Sequence, residues 1–386
     1  MKGFSDRLGE VKEYYFSKKL KEVQQLRESG RPIINMGIGS PDLPPDDSVI
    51  EALKRTASSP SAHGYQSYQG TNELRNAIAA FYARNYSVTL DPSSEVLPLM
   101  GSKEGIMHIS MAFLNEGDEV LVPNPGYPTY TSVTKLLNAK PIYYSLNEED
   151  NWEPDWEALS QADLTKVKLM WVNYPHMPTG AIGSEALFIK LVNFAKENNV
   201  LLVHDNPYSF ILNEEPKSLL EIPGAIDHAL ELNSLSKTYN IPGWRVGMLA
   251  GRSDYLAAVL RVKSNMDSGM FLGIQEGAVA ALNLGNAWTQ SMNKVYSRRK
   301  DLVLEMAKLL QLEVQKDAVG LFVWGKVSEG RTATDLVDQL LYDFDIFITP
   351  GLIFGSNGAS YVRFSLCVGE DKMEEAITRL KNYKLP

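Results

Sequence analysis

The chain has 386 residues, 44% of them hydrophobic and 22% charged, with 38 Lys and Arg against 47 Asp and Glu for a formal net charge of −9. A length beyond one ordinary core points to two packed units, and the acidic balance argues against a nucleic-acid or anionic-membrane surface while leaving room for a local basic pocket. Cys367 has no second cysteine to pair with, no apolar run reaches the ~18 residues of a membrane span, and the charged start "MKGFSDRLGE" lacks an apolar signal core, so a cytoplasmic protein is expected.

Residues 5–29 read as an amphipathic helix, with Phe16, Leu20, Val23 and Leu26 near helical spacing and Gly30 and Pro32 to end it. From about residue 33 to 250, short apolar runs alternate with helical patterns. "EVLPLM" (95–100), "DEVLVP" (118–123), "KPIYYSL" (140–146), "KVKLMWV" (166–172), "NVLLVHD" (199–205), "HALELNSL" (228–235) and "WRVGMLAG" (244–251) read as strands. Stretches such as 102–114 and 184–198 read as the helices between them. This alternation predicts an α/β fold with a mostly parallel sheet of seven strands covered by helices. The last third differs. Residues 275–312 are helical in pattern, "VGLFVWGKV", "DIFITPG" and "SYVRFSL" read as strands, and helices are expected at 332–343 and 371–382. That is a smaller α+β domain. With no flexible linker or repeat between them, the two units should pack around a cleft.

Ligands of open α/β sheets bind beyond the carboxyl ends of the strands, so those loops carry the candidates. "GSKEG" (101–105) sets Ser102 and Lys103 at a helix start, suited to a phosphate or simply to capping. "NPGYPTY" (124–130) is a rigid turn whose Tyr127 could cover a flat ring or fill an interface. "HDNPYSF" (204–210) ends an apolar strand on Asp205, either a cap or the partner of a buried cation. "SLSKTYNIPGWRVG" (234–247) places Lys237 between hydroxyls, Ser234 and Ser236, with Arg245 eight residues on. Most lysines are solvated; this setting suits an amine that forms a Schiff base. The five histidines (63, 108, 176, 204, 228) show no metal-ligand spacing, so no metal is expected. A phosphate, a flat ring, a ring nitrogen needing a carboxylate and an aldehyde needing an amine together describe pyridoxal 5′-phosphate.

With those residues the chain resembles the class I/II aminotransferases of the aspartate-aminotransferase superfamily (fold type I), from "NMGIGSPDLP" to "YVRFSL". The resemblance implies a large domain at 40–270 and a small one at 1–39 with 271–386. It implies that Lys237 holds the cofactor and shuttles a proton. Asp205 would pair with the ring nitrogen, Tyr208 with the ring's 3-oxygen, and Tyr127 would stack on the ring. Ser102, Lys103, Ser234 and Arg245 would hold the phosphate, with Tyr65 of "YQSYQG" reaching in from a second subunit of a homodimer. Arg363 would fork onto the substrate α-carboxylate near Gly39. The implied reaction is a ping-pong exchange of an amino group between an L-amino acid and a 2-oxo acid.

"GSKEGIMHISMAFLNEGDEVLVPNPGYPTY" and "VKSNMDSGMF" look most like LL-diaminopimelate aminotransferases and alanine/glutamate-using relatives, and "SNMDSG" (264–269) has no arginine for a second substrate carboxylate. One loop departs from the pattern. "NYPHMPTG" (173–180) carries Met177 where the family usually has an asparagine that donates to the ring's 3-oxygen. A thioether offers only a weak acceptor. Either the ring oxygen becomes more basic, or methionine merely packs there. The rival chemistry for the same cofactor is C–S β-elimination. A cofactor-binding regulatory module is disfavoured by the absence of a spare basic domain.

Overall fold

The computed structural model describes residues 3–9 and 15–381, with the side chains of 15 and 16 left aside. Its strands, in chain order, are β1 (Ile34–Asn35), β2 (Val96–Leu99), β3 (Glu119–Asn124), β4 (Lys140–Ser145), β5 (Val167–Val172), β6 (Leu201–Asp205), β7 (Ala229–Ser234) and β8 (Gly247–Gly251). There follow β9 (Glu313–Val314), β10 (Phe322–Lys326), β11 (Ile346–Phe347), β12 (Thr349–Pro350) and β13 (Tyr361–Ser365). All seven strands expected between 95 and 251 form, most of them a residue or two shorter than the apolar run and β3 shifted by one residue at equal length; β8 begins three residues later, because Pro242–Trp244 forms a 3-10 turn.

These seven make one sheet in the order β2-β8-β7-β6-β5-β3-β4. Only β8 runs against its neighbours, antiparallel to both β2 and β7. The carboxyl ends of β2, β3, β5, β6 and β7 therefore open onto one edge. Helices bury both faces, which is why β2, β7 and β8 are inaccessible along their whole length and read as continuous apolar runs. Helix Ser102–Phe113 closes one face with Ile106 and Ile109 against Leu99 and Leu232, beside helix Ser253–Lys263. On the other, the helix Glu185–Asn198 starts at Ser184, whose hydroxyl accepts from the Leu187 amide, one of the four N–H groups a helix start leaves unpaired.

The smaller sheet has the order β12-β13-β10-β9, all antiparallel, and β1 pairs in parallel with β11 beside it. The chain thus returns its N-terminal segment to its C-terminal third. The helix Leu272–Leu282 packs on helices Asp47–Ala57 and Asn72–Tyr86, not on this smaller sheet. Of the expected first helix, the described residues form a 3-10 turn at Asp6–Leu8 and an α-helix at Tyr15–Glu28. Its Val23 is buried, while residues 10–14, the Phe16 side chain and residue 382 of the last expected helix lie outside the described residues. Among the described residues no helix is long and apolar enough to cross a membrane.

Candidate active site

A cavity of about 520 Å³ opens at the shared edge of the strands, roofed by β10 and β13. Asp205 ends β6 inside it, 5% exposed. Its Oδ2 accepts the Tyr130 hydroxyl at 2.8 Å, whereas its Oδ1 is buried without a hydrogen-bond partner. Burial pushes the carboxyl up to about 6, against the pull of the Tyr130 hydrogen bond and the nearby His204. Tyr208, three residues on, lines the same cavity with its ring edge-on to Phe322, and burial raises its phenol well above the ordinary value, against the charge of Arg363.

Lys237 projects from the short helix Leu235–Thr238 that follows β7, and its amine donates to the Gly39 carbonyl at 2.5 Å. Burial lowers its pKa, with the charges of Arg363 and Arg245 acting in the same direction. An amine less costly to deprotonate is a better nucleophile toward a carbonyl. Ser234 also lines the cavity; its hydroxyl accepts from the Ser236 amide at 3.2 Å.

The turn from β2 into helix Ser102–Phe113 is made by Gly101 at φ 91°, a conformation that favours glycine. A Cβ there would also stand 2.2 Å from Arg245 Nη2, so the arginine occupies the space the glycine leaves open. Ser102, Lys103 and Arg245 are thereby brought together at a helix N-terminus, where unpaired amides and the helix dipole favour an anion. Tyr127, at the turn after β3, lines the same wall.

Arg363 comes from β13, 6% exposed, with its guanidinium 3.9 Å from the Phe322 ring centre and 4.7 Å from that of Phe354. Nη2 donates to the Gly37 carbonyl at 2.8 Å and Nη1 faces Met177 Sδ at 3.4 Å. The aromatic sandwich and these contacts fix the fork in place. Gly39 is required by this packing: its Cβ would stand 2.3 Å from Phe322 Cζ. Asn173 of the Met177 loop spends its amide locally, accepting from the Met177 N–H at 2.8 Å and donating to the Asp205 carbonyl at 2.6 Å.

Ten of the eleven site residues expected from the sequence thus border one cavity. Tyr65 does not; it is 94% exposed and apart from the cavity of its own chain. Sequence reasoning passed over Tyr130, Phe322 and Phe354. Tyr130 stands in the quoted "NPGYPTY", and its signal was a tyrosine one helical turn after Tyr127, facing the sheet; the two phenylalanines carry no signal beyond strand and loop hydrophobicity.

The group that fits this donor set must offer a carbonyl to Lys237, a proton to the orphaned Asp205 Oδ1 and an anion to the Gly101–Ser102 turn. Pyridoxal 5′-phosphate meets all three. Residues 31–380 match the family described as aminotransferase class I and II. The LL-diaminopimelate aminotransferase of Aquifex aeolicus is 41% identical over 384 residues, covering 99% of both chains. That of Oleidesulfovibrio alaskensis is 41% identical over 379 residues, 97% of this chain and 98% of its own. Among solved structures, apo-BacF from Bacillus subtilis superposes with a TM-score of 0.95 at 37% identity, covering 100% of this chain and 99% of the other.

Proposed function

The chain belongs to the class I and II aminotransferases and is a pyridoxal-phosphate-dependent transaminase of fold type I; from that premise we propose that its amino donor is LL-diaminopimelate or an alanine/glutamate-type amino acid, with a 2-oxo acid as acceptor. What carries the donor assignment is the identity of 41% over 384 residues to an LL-diaminopimelate aminotransferase. C–S β-elimination is not favoured by these relatives.

The cofactor, when bound, would supply an electron sink for the substrate α-carbon. Lys237 tethers the cofactor and carries the proton away from that carbon. Asp205, through Oδ1, keeps the ring nitrogen protonated, and Tyr208 donates to the ring's 3-oxygen while Tyr127 covers the ring. Ser102, Lys103, Ser234 and Arg245 hold the phosphate. Arg363 binds the α-carboxylate, a task for which its planar fork is suited and a lysine is not, with Gly39 beside it. The exposure of Tyr65 supports a homodimer in which each copy lends that tyrosine to its partner's site, in a cytoplasmic enzyme. The large unit is assigned residues 40–270 and the small one 1–39 with 271–386, except that helix Leu272–Leu282 goes with the large unit on which it packs.

An anaerobic half-reaction screen tests the donor. Cofactor-loaded protein is mixed in turn with LL-diaminopimelate, alanine, glutamate, aspartate, methionine and aromatic amino acids while the visible cofactor band is followed. Bleaching by LL-diaminopimelate, alanine or glutamate, reversed by a 2-oxo acid, is the expected result. Bleaching only by other donors overturns the assignment, and release of pyruvate from cysteine conjugates without a 2-oxo acid would restore the lyase reading.

A further inference from the structure

Helix Ser102–Phe113 carries a second set of groups besides those at the cavity. Glu104 and His108 lie one turn apart on it, and Asp267 follows helix Ser253–Lys263. A ligand atom from each of the three lies within 4.8 Å of the other two. His108 is 1% exposed, and neither of its ring nitrogens has a hydrogen-bond partner. Glu104 Oε2 and Asp267 Oδ2 are buried and unpartnered as well. Buried polar atoms without partners are uncommon, and several converging on one point call for a ligand.

One pair in the cluster already has the spacing of two metal ligands. Glu104 Oε1 and His108 Nε2 are 3.4 Å apart. Two ligands of a tetrahedral zinc ion, each about 2.0–2.1 Å from the metal, lie about 3.3 Å from one another. Asp267 Oδ1 is taken by the Lys263 amine and the Gly269 amide, each at 2.8 Å, which leaves Oδ2 for a further partner. Lys263, buried and also bound to the Tyr68 carbonyl at 2.8 Å, offsets one of the two carboxylates. The cluster keeps one net negative charge, favourable for a cation.

We propose that Glu104, His108 and Asp267 bind a divalent cation of the zinc type, with water completing its shell. One imidazole and two carboxylates are a donor set for such an ion. The ion acts as a strap and takes no part in the chemistry of the cavity. It ties the helix whose first turn presents Ser102 and Lys103 to the segment 263–269, and this segment already grips the loop after Tyr65 through Lys263 and through Gly269, whose Cβ would meet the Gln66 and Ser67 carbonyls at 2.7 Å. The inference does not depend on which amino donor the enzyme uses.

The test uses cofactor-loaded protein stripped with a chelator and desalted. Zinc chloride is then titrated calorimetrically, and metal content after a second desalting is measured by plasma mass spectrometry. One zinc per chain with a raised Tm is expected, with affinity at least tenfold weaker in His108→Gln and in Glu104→Gln. Glu104→Gln preserves shape at a half-buried position, so the proposal stays testable should His108→Gln fail to fold. No saturable zinc, or zinc bound equally by wild type and both variants, overturns the site.

Discussion

Tyr130 donates its hydroxyl to one oxygen of Asp205 at 2.8 Å and leaves the other facing the cavity with no partner. The ring of Tyr130 is itself locked by stacking on Trp171, 4.8 Å between centres and 5° from parallel. The carboxylate is thus aimed by a neighbouring phenol of the cavity wall. A hydrogen bond to a charged group is worth about 1.5–3 kcal/mol. Tyr130→Phe should therefore raise the Asp205 pKa further and move the acidic limb of the kcat profile to higher pH, with little change in KM for the amino donor. An unmoved limb would mean that Tyr130 only packs.

Burial alone holds the Asp205 carboxyl up at about 6 in the protein without cofactor. A folded pKa above the unfolded value contributes stability that is complete below the unfolded pKa near 3.8 and lost as pH rises through the folded one. The cofactor-free protein should therefore lose about 3 kcal/mol of stability from this group between pH 4 and roughly 6–7. Asp205→Asn, which cannot ionise, should lack that component. Denaturant titrations of both proteins across this range give the comparison, and parallel curves would refute it.

Arg363 is clamped between Phe322 and Phe354, and its fork has two fixed terminal nitrogens. Arg363→Lys keeps the charge and removes the planar fork. Losing one charge-assisted hydrogen bond of about 1.5–3 kcal/mol raises KM for the amino acid roughly 10- to 100-fold. Steady-state kinetics with the donor found by the half-reaction screen decide it; KM within a factor of two of wild type would remove Arg363 from carboxylate binding.

Gly39→Ala should disturb the same clamp from beneath, since the new Cβ would stand 2.3 Å from Phe322 Cζ. Overpacking of this kind costs about 1–3 kcal/mol. A lowered Tm together with a raised KM is expected. A lowered Tm with unchanged KM would show that the Phe322 ring yields without moving Arg363.

Met177→Asn adds an amide donor to the cavity wall and removes the thioether from Arg363. Asn173 already spends one amide N–H on the Asp205 carbonyl and its oxygen on the Met177 N–H. The spectroscopic pKa of the lysine-bound cofactor should fall in this variant. An unchanged value would leave Met177 with its packing and its contact to Arg363 alone.

The alternation of apolar runs and helices and the loops that hold Ser102, Asp205 and Lys237 were readable in the sequence. Those features depend on neighbours within a few residues, where periodicity and turn chemistry act. The partners of the site were decided elsewhere. Tyr130 meets Asp205 across 75 residues, and Arg363 meets Met177 across 186. Glu104 and His108 look like an ordinary helical pair until Asp267 arrives from the end of another helix. Such meetings follow from strand order, which places β3 two strands from β6, and from the return of β13 over the cavity. Strand order is set by which buried faces fit together over the whole chain, so no local stretch of sequence records it.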